Sequence, residues 1–142
     1  MKQDKAAILI KKAALEFDKI SNAKLEPYDL TASQYKLIKY LYAEGENGVR
    51  ITDLEKYFSL THPTTIGIVQ NLEKKGLTAY RENPSDARSR FIIPSEKANA
   101  ARGELENLGE KLDSELTKNL TECERGQLIA LLRKMLEINE EE

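Results

Sequence analysis

Between Thr52 and Pro94 the chain starts two short helices in quick succession and follows them with a hairpin, which leaves few folds open to it. "TDLEKYF" places Thr52 at a capping position with Glu55 three residues on. In that arrangement a hydroxyl and a carboxylate each satisfy a backbone amide that the helix leaves unpaired. Leu54, Tyr57 and Phe58 form its inward face. Ser59 and Leu60 allow only a tight link before Thr61, which caps the next helix, "HPTTIGIVQNLEKKG". Pro63 is tolerated there because first-turn amides have no helical partner. Thr65, Ile68, Val69 and Leu72 recur at helical spacing, and Gly76 ends the run. "LTAYRE" and "RFIIP" read as strands, joined by "NPSDARS" as a hairpin with a long tip. Two such helices make a helix-turn-helix, and the hairpin behind them makes a wing.

Helices flank this unit on both sides. From about Asp4 to Ala23, Ile10, Ala13, Ala14, Phe17 and Ile20 mark an apolar stripe. Thr31 and Gln34 form a complete capping box, with Leu30 and Tyr35 placed as a hydrophobic staple. Tyr35, Ile38, Leu41 and Tyr42 then face inward until Gly45 and Gly48. After the hairpin, Ser95 opens a helix over roughly 95–118, and Thr121 with Glu124 opens another over 122–138. The expected class is mainly α with a minor β hairpin. Residues 1–25 and 96–142 are the dimerisation helices, and 30–95 the winged helix-turn-helix.

Several functions are excluded early. No stretch approaches the ~20 apolar residues of a membrane span, and the start has no cleavage site of a signal peptide. A lone cysteine, Cys123, fits a reducing cytosol, so a cytoplasmic location is expected. With one histidine and one cysteine, no Cys/His zinc site can be assembled, and no other cofactor is expected. No nucleophile–base pair, glycine-rich phosphate loop or carboxylate pair suggests an enzyme.

Net charge is −2, which by itself argues against a nucleic-acid binder, but the charge is unevenly spread. Residues 1–24 sum to +3, 25–95 to 0, and 96–142 to −5. Lys74, Lys75, Arg81, Arg88 and Arg90 stand against Glu82 and Asp86, a local +3 around the hairpin.

With Thr65, Ile68, Val69 and Leu72 inward, the opposite side of the third helix offers His62, Pro63, Thr64, Ile66, Gln70, Asn71 and Lys74. Gln70 suits the paired donor and acceptor of adenine, Thr64 a base or phosphate, and Pro63 or Ile66 a thymine methyl. Amides at a start capped by Thr61 suit phosphate. The same face also reads as an ordinary solvated one, but an exposed Ile66 beside Pro63 favours DNA. Ser33 and Thr52 are candidate phosphate contacts, and each also reads as part of a helix start. At the hairpin tip, Arg88 is placed to enter a narrow minor groove. Asp86 holds the tip through that guanidinium or through tip amides, and Arg90 meets DNA backbone or the same aspartate. A plain surface ion pair, worth ~0–1 kcal/mol, is the competing explanation.

The terminal helices carry apolar residues, among them Ile8, Phe17, Leu112, Leu128, Leu131 and Met135, with no further domain to cover them. A two-fold homodimer covers such surface economically. It also sets two reading helices about 34 Å apart, as a palindromic operator requires.

"TDLEKYFSLTHPTTIGIVQNLEKKGL" followed by "NPSDARSRFIIPSEKA" resembles the MarR family of bacterial winged-helix transcription regulators. Asp86 and Arg88 match its D-x-R signature, and Leu72–Leu77 and Ser95–Glu96 match its pattern. The chain departs from it at Pro94 and Ala98, where the hairpin joins the long helix. The resemblance implies a DNA-binding repressor released by a small phenolic or aromatic-acid effector. The pocket it implies has Phe17, Tyr35 and Tyr42 as candidate lining. The family's peroxide sensors carry their cysteine in the first helix, which has none here. The alternative is a winged-helix protein-interaction module that does not bind DNA.

Overall fold

Thr31 accepts from the amide of Gln34 while the Gln34 side chain accepts from the amide of Thr31, both at 3.2 Å, so the predicted capping box forms and fixes the start of α2. This is seen in a computed structural model that describes residues 4–86 and 88–139. Its elements are α1 (Ala6–Leu25), α2 (Ala32–Glu44), α3 (Ile51–Phe58), α4 (His62–Lys74), β1 (Thr78–Glu82), β2 (Arg90–Pro94), α5 (Glu96–Ala100), α6 (Arg102–Leu116) and α7 (Glu122–Met135). Short 3₁₀ turns at Glu26–Tyr28 and Gly45–Asn47 precede and follow α2. Among the described residues no helix is long and apolar enough to cross a membrane.

Two compact units share the chain. The larger, residues 21–109, holds the core: Leu25, Leu37, Ile38, Leu41, Leu54, Val69, Leu72, Ile92 and Leu105 are all nearly inaccessible. Each such side chain contributes roughly 1.5–3 kcal/mol by leaving water. α2 lies against α4 and β2, and α3 packs on α4. The wing strands pair antiparallel, with Tyr80 opposite Ile92 and Arg81 opposite Phe91. A third segment joins them: Val49 and Ile92 exchange backbone hydrogen bonds of 3.0 and 2.7 Å. This brings Gly48 against β2 at φ +76, where a Cβ would sit 2.9 Å from side-chain atoms of Phe91 and Ile93. Only glycine fits there.

The smaller unit comprises residues 1–20 and 110–142, and none of its described residues is buried. Ile8, Leu15, Phe17, Ile129, Leu131, Met135 and Leu136 are each between 41% and 64% exposed. A helical unit with no interior of its own depends on a further surface to cover its apolar faces.

Several local expectations are corrected. Thr52 does not cap α3; Arg50 is the residue before the helix, and its amide donates to Asp53 at 3.0 Å. The carboxylate two residues before Glu55 satisfies the amide and leaves Glu55 free to face α4. Tyr57 is 64% exposed rather than inward, because α3 turns it onto Tyr40, ring centroids 4.2 Å apart. The helix expected over 95–118 is divided at Ala101 into α5 and α6, although bonds from Ala101 to Lys97 and from Leu105 to Ala101 continue the ladder. The last helix ends at Met135, and Glu137 turns left-handed at φ 58.

Candidate nucleic-acid interface

α4 is held from both ends. At its start Thr61 accepts the amide of Thr64 and donates its hydroxyl to Thr64 Oγ1 at 2.9 Å. At its end Lys75 donates to Gln34 Oε1 at 2.8 Å and to the carbonyl of Asp29, and Lys97 donates to the Lys75 carbonyl at 3.0 Å. Gln34 therefore serves the start of α2 and the end of α4 at once. Thr65, Val69 and Leu72 are buried, which turns His62, Pro63, Thr64, Gln70, Asn71 and Lys74 to solvent. Ile66 is half-buried, not exposed as the sequence suggested, because its neighbour Thr65 faces fully inward. The face thus offers one cation, two amides, a hydroxyl and an imidazole beside a small apolar edge.

Ser33 and Thr52 are exposed in the first turns of α2 and α3, where unpaired amides also point outward. His62 is not isolated: its Nδ1 meets the Glu55 carboxylate of α3.

The wing tip is shaped by its own side chains. Asn83 Oδ1 accepts the amide of Ser85 and Asp86 Oδ1 accepts the amide of Arg88, both at 2.9 Å. These side-chain turns fix the backbone while leaving charged groups outward. Of the two roles expected for Asp86, the structure shows the bond to a tip amide. Arg88 is exposed, and among the described residues no bond engages its guanidinium. Arg90 does not meet Asp86; it stacks on Tyr80, 4.3 Å from the ring centre, as its diagonal neighbour across the hairpin.

The local cation count overstates what is available. Arg81 donates to the carbonyls of Glu46 and Asn47 at 2.9 and 3.2 Å and lies over Phe91, so it fastens the wing to the turn after α2. Lys75 is likewise committed to Gln34. Lys74, Arg88 and Arg90 remain at the surface.

Of the candidate effector residues, Tyr35 and Tyr42 both lie on α2. Tyr42 is buried and donates its hydroxyl to the carbonyl of Ala98, and Tyr35 donates to the carbonyl of Leu105 at 2.5 Å. Burial pushes the Tyr42 hydroxyl up to about 12 and raises that of Tyr35. Tyr42 also lines a cleft of about 900 Å³ with Arg81 and Arg102, to which Tyr35 does not contribute. Phe17 belongs to the smaller unit and is exposed.

Sequence reading missed the pairing of Glu55 with His62 and the fastening roles of Arg81 and Lys75.

Comparison with known proteins places the arrangement. A model of the MarR family matches residues 28–89. The multiple antibiotic resistance protein MarR of Salmonella typhimurium is 30% identical over 120 residues, covering 84% of this chain and 82% of that protein. Among solved structures, the Staphylococcus aureus MepR–DNA complex superposes with a TM-score of 0.77 at 27% identity, covering 95% of this chain and 98% of that one. A mutant MarR from E. coli complexed with operator DNA superposes with a TM-score of 0.75 at 28% identity, covering 92% of each chain.

Proposed function

The chain belongs to the MarR family, and on that footing we propose that it acts as a homodimeric repressor on a palindromic operator. Family membership makes it a transcriptional regulator rather than an enzyme. The single observation that carries DNA recognition is α4 itself: capped by Thr61, pinned by Lys75, and turned so that His62, Thr64, Gln70, Asn71 and Lys74 face solvent together. Similarity to MepR and MarR structures holding DNA supports DNA as the partner. Arg88, on a tip fixed by Asp86, is the minor-groove element of this reading.

The exposed apolar faces of the smaller unit support pairing of two copies. Two copies related by a two-fold axis would set their α4 helices one duplex turn apart, about 34 Å. A small effector that alters this spacing would release the operator. An effector beside Tyr35 or Tyr42 would meet the ring faces, since both hydroxyls are engaged by carbonyls.

The test is binding to inverted repeats taken from upstream of the gene, followed over a salt series. Affinity for the repeat should fall steeply with salt, by roughly 0.9 log units per phosphate contact per tenfold change in concentration. No preference for any repeat, or a flat salt response, would remove the reading.

A further inference from the structure

His62 is the only histidine of the chain, and it stands at the first position of α4. Its Nδ1 lies 2.5 Å from Oε1 of Glu55, seven residues back on α3. The two ends of this contact differ: the glutamate side chain is 22% exposed and the imidazole 66%. Glu55 is therefore set in the protein and His62 projects from it. The helix start does not need the imidazole, because Thr61 already caps it.

An ionised carboxylate offers acceptors only, so the proton of this contact resides on Nδ1. That leaves Nε2 as the free nitrogen. We propose that Glu55 is a positioning residue for operator recognition, fixing the Nδ1–H tautomer and ring orientation of His62 so that Nε2 is the atom presented to DNA. This rests on the DNA-binding reading above. In its neutral form, a ring so held accepts a hydrogen bond through Nε2. In the major groove it matches the amino groups of adenine or cytosine, whereas the guanine edge offers only acceptors. Holding the ring before binding also spares part of the ordering cost of an exposed side chain.

The experiment combines nitrogen NMR of the free protein with operator binding by Glu55→Ala, Glu55→Gln, His62→Ala and the double variant. Expected for the wild type is the Nδ1–H tautomer; Glu55→Ala should move it toward Nε2–H, the form that free histidine prefers. Glu55→Gln keeps an acceptor at the same reach and should preserve both the tautomer and most of the affinity. Glu55→Ala and His62→Ala should each weaken operator binding about five- to tenfold, and the double variant no further than His62→Ala alone. An Nε2–H tautomer in the wild type would overturn the proposal. So would a loss from Glu55→Ala that persists undiminished when His62 is already alanine. A wild type with the Nδ1–H tautomer that bound no duplex would instead sink the DNA-binding reading, and the recognition role with it.

Discussion

Asp86 Oδ1 accepts the backbone amide of Arg88 at 2.9 Å, so the aspartate shapes the wing tip without occupying the arginine's guanidinium. A side-chain bond to the amide two residues on closes the turn, and the cation is carried at its apex.

Arg88→Ala should weaken operator binding by about tenfold or more while leaving the melting temperature nearly unchanged, since an exposed side chain contributes little to folding. Asp86→Ala should weaken it less, by loosening the tip. Fluorescence anisotropy with calorimetry on the same preparations checks both. Intact affinity with a large loss of stability would contradict the role given to the wing.

Gly48→Ala should cost about 1–3 kcal/mol, because a left-handed backbone and a crowded β2 oppose the added methyl together. At Gly45 φ is +68 but the space around it is open, so Gly45→Ala should cost less. Urea denaturation gives the comparison. Hydrogen exchange at the amides of Val49 and Ile92 should quicken in Gly48→Ala, since those amides pair the turn with the wing.

Stability should fall in alkali. Burial pushes Tyr42 from its ordinary 10.0 up to about 12, so the folded chain holds this proton more firmly than the unfolded chain. The contribution is complete below 10.0 and is lost as the pH rises from there through about 12. Tyr42→Phe should lose about 1 kcal/mol near neutrality, with the bond to the Ala98 carbonyl, yet show a shallower alkaline decline. Urea midpoints from about pH 8 to about pH 11 test this, and parallel declines would refute it.

Light scattering should give the wild type twice the 16.1 kDa chain mass. Leu131→Glu, at a side chain 64% exposed in the smaller unit, should shift the population toward the single chain by burying a charge in the interface. A wild type of 16.1 kDa at micromolar concentration would end the dimer reading.

The sequence by itself determined the winged helix-turn-helix. Its signals are short-range: Thr31 with Gln34, Thr121 with Glu124, Ser95 with Ala98, and a helical apolar stripe giving way to two strands. A cap joins residues three apart, so its partners are visible in the string. Where two acids competed at the start of α3, spacing chose Thr52 with Glu55, and the folded chain used Asp53. Tertiary structure alone decided which charges remain for a ligand. Lys75 reaches Gln34 across 41 residues, Arg81 reaches the carbonyl of Glu46 across 35, and Glu55 meets His62 between two helices. Those pairings follow from how the helices and the wing pack. A cation that fastens the fold and one that faces DNA look alike until that packing is known.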